Sequence, residues 1–579
     1  MTRVATVFLL LTAFAVAVPA AEPPVSVWAV PSVQKVRPED PVEASNLVWS
    51  GKTKTVTISG AKNEHVPFQI VVTTPPPPTR YDRAASGFRV DASDLVSPSG
   101  RIAKERIKLY LEHVVLCYGK SSPVGATGFW PDALVPLTGP FGMDSQFRSF
   151  VRNRAIWIDV QVPEHAPAGV YNGTLDITRN GQQIDRILVS LKVHDFALPE
   201  ETHLITYIGI SSGRLAGFYG LKEDSSELKA LVRKYYDFLY ANRMEPWFHD
   251  MLQPEIKETA GGSLEVRFDD REYAHYMNTL KTKRVVLEPR SGETAGGEKS
   301  APFSEAFNRR VTAYVKQVYD YFSENGWRSR LVFNSPIDEP NTAQQYADTR
   351  RWAELVHKAA PGVPFLVTES PVPDTPDWGT LIGFANNFSV HGNELNRPQV
   401  KKAIRDVQAK GGEVTWYISC DQVYPQPNYF IDGPAMDPVM VPWITWRHGM
   451  NGILYWDIAF WSQTPDPWLD PVTYLSGFLC SDGYVLNGEG CMVYPGNRAK
   501  RYTGQSDVDG PVSSIRMELL REGIEDYEYL WLLKSLGDSD FADRAAQGMA
   551  VDVSAFSRNV EELFELRQRM AARIESLKR

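Results

Sequence analysis

From about residue 200 onward, short apolar runs alternate with long amphipathic helical patterns, and this constrains the fold more than any other feature of the chain. Strand-like runs at 204–210, 284–287, 330–333, 364–367, 384–390, 413–418 and 452–456 are interleaved with helical patterns at 228–242, 307–325, 346–359 and 398–410. Buried strands joined by crossover helices make a parallel sheet with both faces covered. Roughly 300 residues with about eight such units predict a (β/α)8 TIM-like barrel. No Gly-x-Gly-x-x-Gly follows any of the runs, which removes the main support for an open dinucleotide-binding sheet.

Upstream the texture differs. Between residues 22 and 199 short β-forming runs are punctuated by Pro and Gly, and Asn180-Gly181 marks a hairpin turn. That pattern predicts an N-terminal β-sandwich. The chain is therefore expected to be multidomain: a sandwich over 22–199, the barrel over 200–537 and a C-terminal helical segment over 538–579, with helical patterns at 515–536 and 553–577. Ahead of these, Arg3, an apolar run at 4–18 and the small residues Ala20 and Ala21 have the layout of a signal peptide, 1–20. An exported protein, periplasmic or extracellular, is expected. No other stretch is apolar enough to insert in a membrane. A net charge of −9 without a basic run excludes a nucleic-acid partner. The four cysteines are too scattered for a zinc site, although Cys480 and Cys491 bracket a Gly-rich loop and could pair.

In a barrel of this type the reactive groups follow the C-terminal ends of the strands. One unit reads Arg330-Leu-Val-Phe-Asn334-Ser-Pro-Ile-Asp338-Glu339-Pro340, which puts two adjacent carboxylates beyond a strand. Neighbouring acids raise each other's proton affinity, as a general acid requires. The same pair is equally suited to opening the next helix, where acidic groups complement the dipole. Aromatic groups gather at later strand ends: Trp416 and Tyr417, then Tyr455, Trp456 and Asp457, with His391 after the run ending at Val390. Rings can floor a sugar subsite while Asp457, His391 and Arg516 hold hydroxyls. Adjacent strand residues point opposite ways, so Trp416 and Tyr455 could instead be interior. Gly209-Ile-Ser211-Ser-Gly213 matches a serine-hydrolase elbow, but no oxyanion loop precedes it. His249, Asp250 and His448 lack partners at metal-ligand spacing, so no metal site is expected.

Several segments together resemble glycoside hydrolase family 123. They are Ala61-Lys-Asn-Glu64-His-Val-Pro-Phe-Gln69, Phe129-Trp-Pro-Asp132, Ile337-Asp338-Glu339-Pro340, Gly452-Ile-Leu-Tyr-Trp456, Gly488-Glu-Gly490 and Leu520-Arg-Glu-Gly-Ile-Glu-Asp526-Tyr-Glu-Tyr529. The resemblance implies exo-acting, retaining hydrolysis of terminal β-linked N-acetylgalactosamine, or a related 2-acetamido sugar, in an oligosaccharide or glycoconjugate, without a cofactor. It further implies that Asp338 orients the acetamide, whose oxygen attacks the anomeric carbon, and that Glu339 serves as acid and then base. The segment 384–394 is more polar than the family's pattern and leaves the exact sugar open. Two other readings remain: a glycosidase with a conventional nucleophile, for which Glu369 has the right placement, and a non-catalytic carbohydrate-binding protein.

Overall fold

The computed structural model describes residues 25–77, 79, 84–145, 150–259, 263–292, 300–422, 424–464, 466–474 and 483–579. The expected leader and Cys480 lie outside these residues.

Alternation of apolar and polar residues builds the N-terminal part as two packed sheets. One has the strand order Ser26–Pro31, His65–Thr73, Asn153–Gln161, Ile107–Cys117 and Gly128–Pro136, each pair antiparallel. The other centres on the hairpin Gly169–Arg179 and Gln182–Ala197, turned at Asn180 and Gly181, both with positive φ. A two-residue turn of that twist demands such φ values, which Asn and Gly tolerate. Between the sheets lies a core that includes Trp28, Ile70, Ile156, Ile177 and Leu191.

The first sheet does not end with the sandwich. Pro511–Ser514 pairs with Gly128–Pro136, and Tyr494–Pro495 pairs with Pro511–Ser514, so two strands from far downstream complete it.

The downstream part is built around a parallel sheet ordered Ile205–Ile208, Gly452–Tyr455, Glu413–Ile418, Asn387–His391, Phe365–Val367, Leu331–Asn334, Val285–Leu287. Among the described residues the expected regular eight-stranded barrel is not formed. The sheet is curled and has seven strands; where an eighth would lie, residues 246–248 make only isolated parallel bridges, Ile208 to Pro246 and Phe248 to Val286. Pro246 has no N–H to extend a ladder there. Helices cover the outer face, and Ser225, Ser304 and Thr342 cap three of them by accepting from backbone N–H groups.

Two helices are buried almost all round, Met436–Arg447 and Ile515–Ser535. Gly523 lets them meet, since a Cβ there would lie 2.4 Å from the Val439 carbonyl oxygen. The charges on the second helix are paired rather than solvated. Arg516 holds Asp132 at 2.7 Å, Asp526 holds Arg567 at 2.7 Å, and Glu528 meets His203 at 2.7 Å. Tyr529 donates to Glu64 at 2.6 Å and the His65 amide donates to Glu525 at 3.1 Å. The segment 520–529 therefore ties the sandwich to the sheet domain. At the C-terminus the expected helix over 553–577 begins later, at Val560. Asn559 caps it, and a separate helix, Ser539–Met549, and a short hairpin precede it.

Candidate active site

Residues two beyond the inward-facing positions of the strands reach the mouth of the sheet. The interior cluster contains Val286, Val332, Leu366, Tyr417 and Leu454, with Trp247 beside them. Stepping by two from Val286 and Leu366 brings Glu288 and Thr368 to the rim. His391 lies in register with Tyr417, their rings 4.8 Å apart.

After Leu331–Asn334 the chain bends, and Asp338 and Glu339 stand exposed on the bend. Glu339 has φ +42°, a left-handed conformation that non-glycine residues seldom adopt and that concentrates at functional sites. Thr368, 5% exposed, donates its hydroxyl proton to Asp338 Oδ1 and accepts the Glu339 N–H at 3.3 Å. Tyr417 donates to Glu339 Oε1. Burial first, and then the Glu339 carboxylate, push the tyrosine's own ionisation upward, so it stays a donor.

More acids surround the pair. Burial raises Glu369 to about 7 against the hydrogen bond from the Ser370 amide, and Asp374, Glu339 and Glu394 add to the rise. Glu288 is also raised, by burial first and then by Asp250 and Asp338, against Arg290. His391 Nε2 lies 2.9 Å from Asp421 and 3.1 Å from Ser419. Burial works against ionisation of Asp421, but the His391 and Ser419 contacts hold it below the usual carboxylate range. Trp456, half-buried, donates to Glu489 at 2.8 Å and lies 5.6 Å below the Arg214 guanidinium.

The other expected binding residues sit elsewhere. Trp416 is fully buried on the opposite face of its strand from Tyr417 and donates to Thr445 of a covering helix at 2.7 Å. Tyr455 is likewise fully buried and accepts the Gly490 N–H at 2.8 Å. Arg516 is 0% exposed, and Asp132 together with the Tyr429, Gly488 and Cys491 carbonyls consume its donors. These three have no surface to offer a sugar. Asp457 is buried too, raised to about 6 by burial against the Ala459 amide and Arg214. It anchors Arg214 rather than facing the mouth directly. Sequence alone did not single out Glu288 and Thr368, although the same rule of strand ends with period two selects them.

Ser211 serves the backbone instead of chemistry. Its hydroxyl accepts the Arg214 N–H at 3.2 Å and caps the helix Ser212–Tyr219, so the Gly209–Gly213 motif is a cap. Cys491 directs its thiol to the Phe460 carbonyl at 3.1 Å. Among the described residues no group of three His, Cys, Asp or Glu could hold a metal ion, and no helix is long and apolar enough to cross a membrane.

The family model for the glycoside hydrolase 123 catalytic domain matches residues 263–533, and that for the family's N-terminal domain matches residues 44–179. The chain belongs to glycoside hydrolase family 123. A solved structure of a family 123 glycoside hydrolase from Clostridium perfringens, studied for glycolipid glycan hydrolysis, is 14% identical. The match covers 96% of this chain and 97% of that one with a TM-score of 0.65, a likeness of fold alone. A family 39 glycoside hydrolase from Bacteroides cellulosilyticus is far less similar, at 9% identity over 81% of each chain and a TM-score of 0.31. No curated protein matches the chain in sequence. As a family 123 member the protein is a glycosidase with a glycan substrate, and the carboxylate pair at the sheet mouth lies within the catalytic-domain match.

Proposed function

We propose that this family 123 enzyme is exported and removes terminal β-linked N-acetylgalactosamine, or a related 2-acetamido sugar, by exo-acting, retaining, substrate-assisted hydrolysis. One observation carries the reading. Asp338 and Glu339 are consecutive on a single bend, and each has one oxygen held by a different hydroxyl, from Thr368 and Tyr417. A conventional retaining pair must flank the sugar ~5 Å apart, one carboxylate on each side of the scissile bond. Neighbours on one bend serve instead where the substrate brings its own nucleophile. Asp338 accepts the acetamide N–H and turns the carbonyl oxygen toward the anomeric carbon. That oxygen attacks while Glu339 gives its proton to the leaving oxygen. Glu339, now a carboxylate, takes a proton from the water that opens the oxazolinium ring at the same carbon, and two inversions leave the configuration retained.

Glu369 suits a conventional nucleophile poorly, because burial lifts it to about 7 and leaves it partly protonated near neutrality. A panel of aryl glycosides with and without a 2-acetamido group, glycolipid glycans included as natural candidates, tests the proposal. Glu339→Gln should reduce turnover by roughly 100-fold or more, the usual scale for general acid–base catalysis. Asp338→Asn should lower turnover of the acetamido substrates selectively and weaken a thiazoline inhibitor. Equal turnover of sugars lacking the acetamide, or full activity in Asp338→Asn, sinks it.

A further inference from the structure

We propose that Thr368 is a positioning residue that sets Asp338 as an acceptor and locks it to Glu339; this rests on the substrate-assisted reading above. A threonine hydroxyl has one proton to give and lone pairs to receive with. Here the proton goes to Asp338 Oδ1 and a lone pair takes the Glu339 N–H at 3.3 Å. The hydroxyl therefore touches both catalytic residues, one through its carboxylate and the other through its backbone.

Two consequences follow from that polarity. First, Asp338 Oδ1 is committed as an acceptor, and Oδ2 takes no hydrogen bond from the described residues, so it is free to accept the acetamide N–H. Second, the backbone of Glu339, held at φ +42°, is pinned where the chain would otherwise relax. Tyr417 then completes the division by holding Glu339 Oε1, leaving Oε2 for the leaving oxygen. Thr368 itself is 5% exposed and follows Phe365–Val367 directly, so almost none of its surface is open to a ligand. It acts through its neighbours.

The test uses the full chain with T368V, T368A, T368S, D338N and the double variant T368V/D338N. It measures kcat and KM on an aryl β-N-acetylgalactosaminide, Ki for a thiazoline mimic and Kd for the free sugar. T368V and T368A should lower kcat/KM by roughly 10- to 100-fold, the scale of a lost hydrogen bond to a charged group. The loss should appear mainly in kcat. Thiazoline affinity should fall more than affinity for the free sugar, and T368S should recover most of both.

If Thr368 works chiefly through Asp338, T368V/D338N loses clearly less than the product of the two single effects, the remainder being the bond to the Glu339 backbone, whereas independent roles multiply. T368A guards against a T368V that packs badly, and melting curves identify either failure. The proposal is overturned if the hydroxyl-free variants stay within about twofold of wild type in a site where such bonds carry 10-fold or more. It is equally overturned if the double variant loses the product of the single effects. Failure of the underlying reading looks different: the wild type then ignores the acetamide and the thiazoline. The comparison of T368V with D338N can still be made on whichever glycoside it cleaves.

Discussion

A carboxyl raised toward neutrality beside the proposed acid–base residue should leave a mark on the pH profile. Burial lifts Glu369 to about 7, with Glu339 among the groups that raise it. Above that pH Glu369 carries a negative charge that favours a protonated acid next to it. Removing the charge in Glu369→Gln should move the basic limb of the kcat/KM profile to lower pH, by a few tenths to about one unit. An unmoved limb would show that Glu369 does not communicate with the pair, and a fluorosugar trapped on it would make it the nucleophile. At this scale the sequence was legible in its types and not in its directions. Trp416 and Tyr417 are equal candidates on paper, and strand alternation says only that they part company. Register against His391 decides that Tyr417 faces the acids and Trp416 the helices. Arg516 misled for a related reason: an arginine in a motif suggests a ligand, while its partner Asp132 lies 384 residues away.

At the level of single elements, the strand Ile107–Cys117 carries an anomaly worth measuring. Its Glu112 is 1% exposed, neither carboxyl oxygen has a hydrogen-bond partner among the described residues, and burial raises it to about 8 against Arg154. The folded chain thus keeps a proton that the unfolded chain, with an ordinary glutamate, releases at a lower pH. The neutral acid's contribution to stability is complete below the unfolded value of 4.5 and is lost as pH rises through about 8. Glu112→Gln cannot ionise, so its melting temperature should gain on wild type between about pH 5 and pH 8.5, by an amount worth ~1 kcal/mol or more. Parallel slopes for the two proteins would refute this. Strands and helices with strong periodicity were readable in advance, and the strand–helix alternation runs from Ile205 to Tyr455 except between Phe365–Val367 and Asn387–His391, where only the 3-10 turn Pro376–Trp378 intervenes. What escaped was the short, proline-led stretch 246–248, which has too few residues to show a period and owes its place to neighbours on both sides.

For the molecule as a whole, the sandwich and the sheet domain share hydrogen-bonded structure and a helix buried between them. Cutting a buried ion pair such as Arg516–Asp132 costs about 3–5 kcal/mol, because the survivor is left charged and dry. Calorimetry should therefore record one cooperative transition for the intact chain rather than two. A fragment of residues 200–579 should be insoluble or unfolded, since it exposes the edge of Pro511–Ser514 and the charged face of its longest helix. Recovery of a folded, active fragment would contradict this. The division into a β part and an α/β part was visible from texture alone. Their fusion was not, because strand pairing between residues hundreds of positions apart leaves no local periodicity.

That fusion bears on how enzymes of this kind can be recombined. A crossover placed near residue 199, where the composition changes, would pair a sandwich from one parent with Pro511–Ser514 and Tyr494–Pro495 from another. The exchangeable block is discontinuous: residues 25–199 have to travel with 494–514, and with the partner of Asp132 at position 516. Chimeras that respect this block should inherit a working mouth, whereas those cut at the apparent boundary would begin with a mismatched seam.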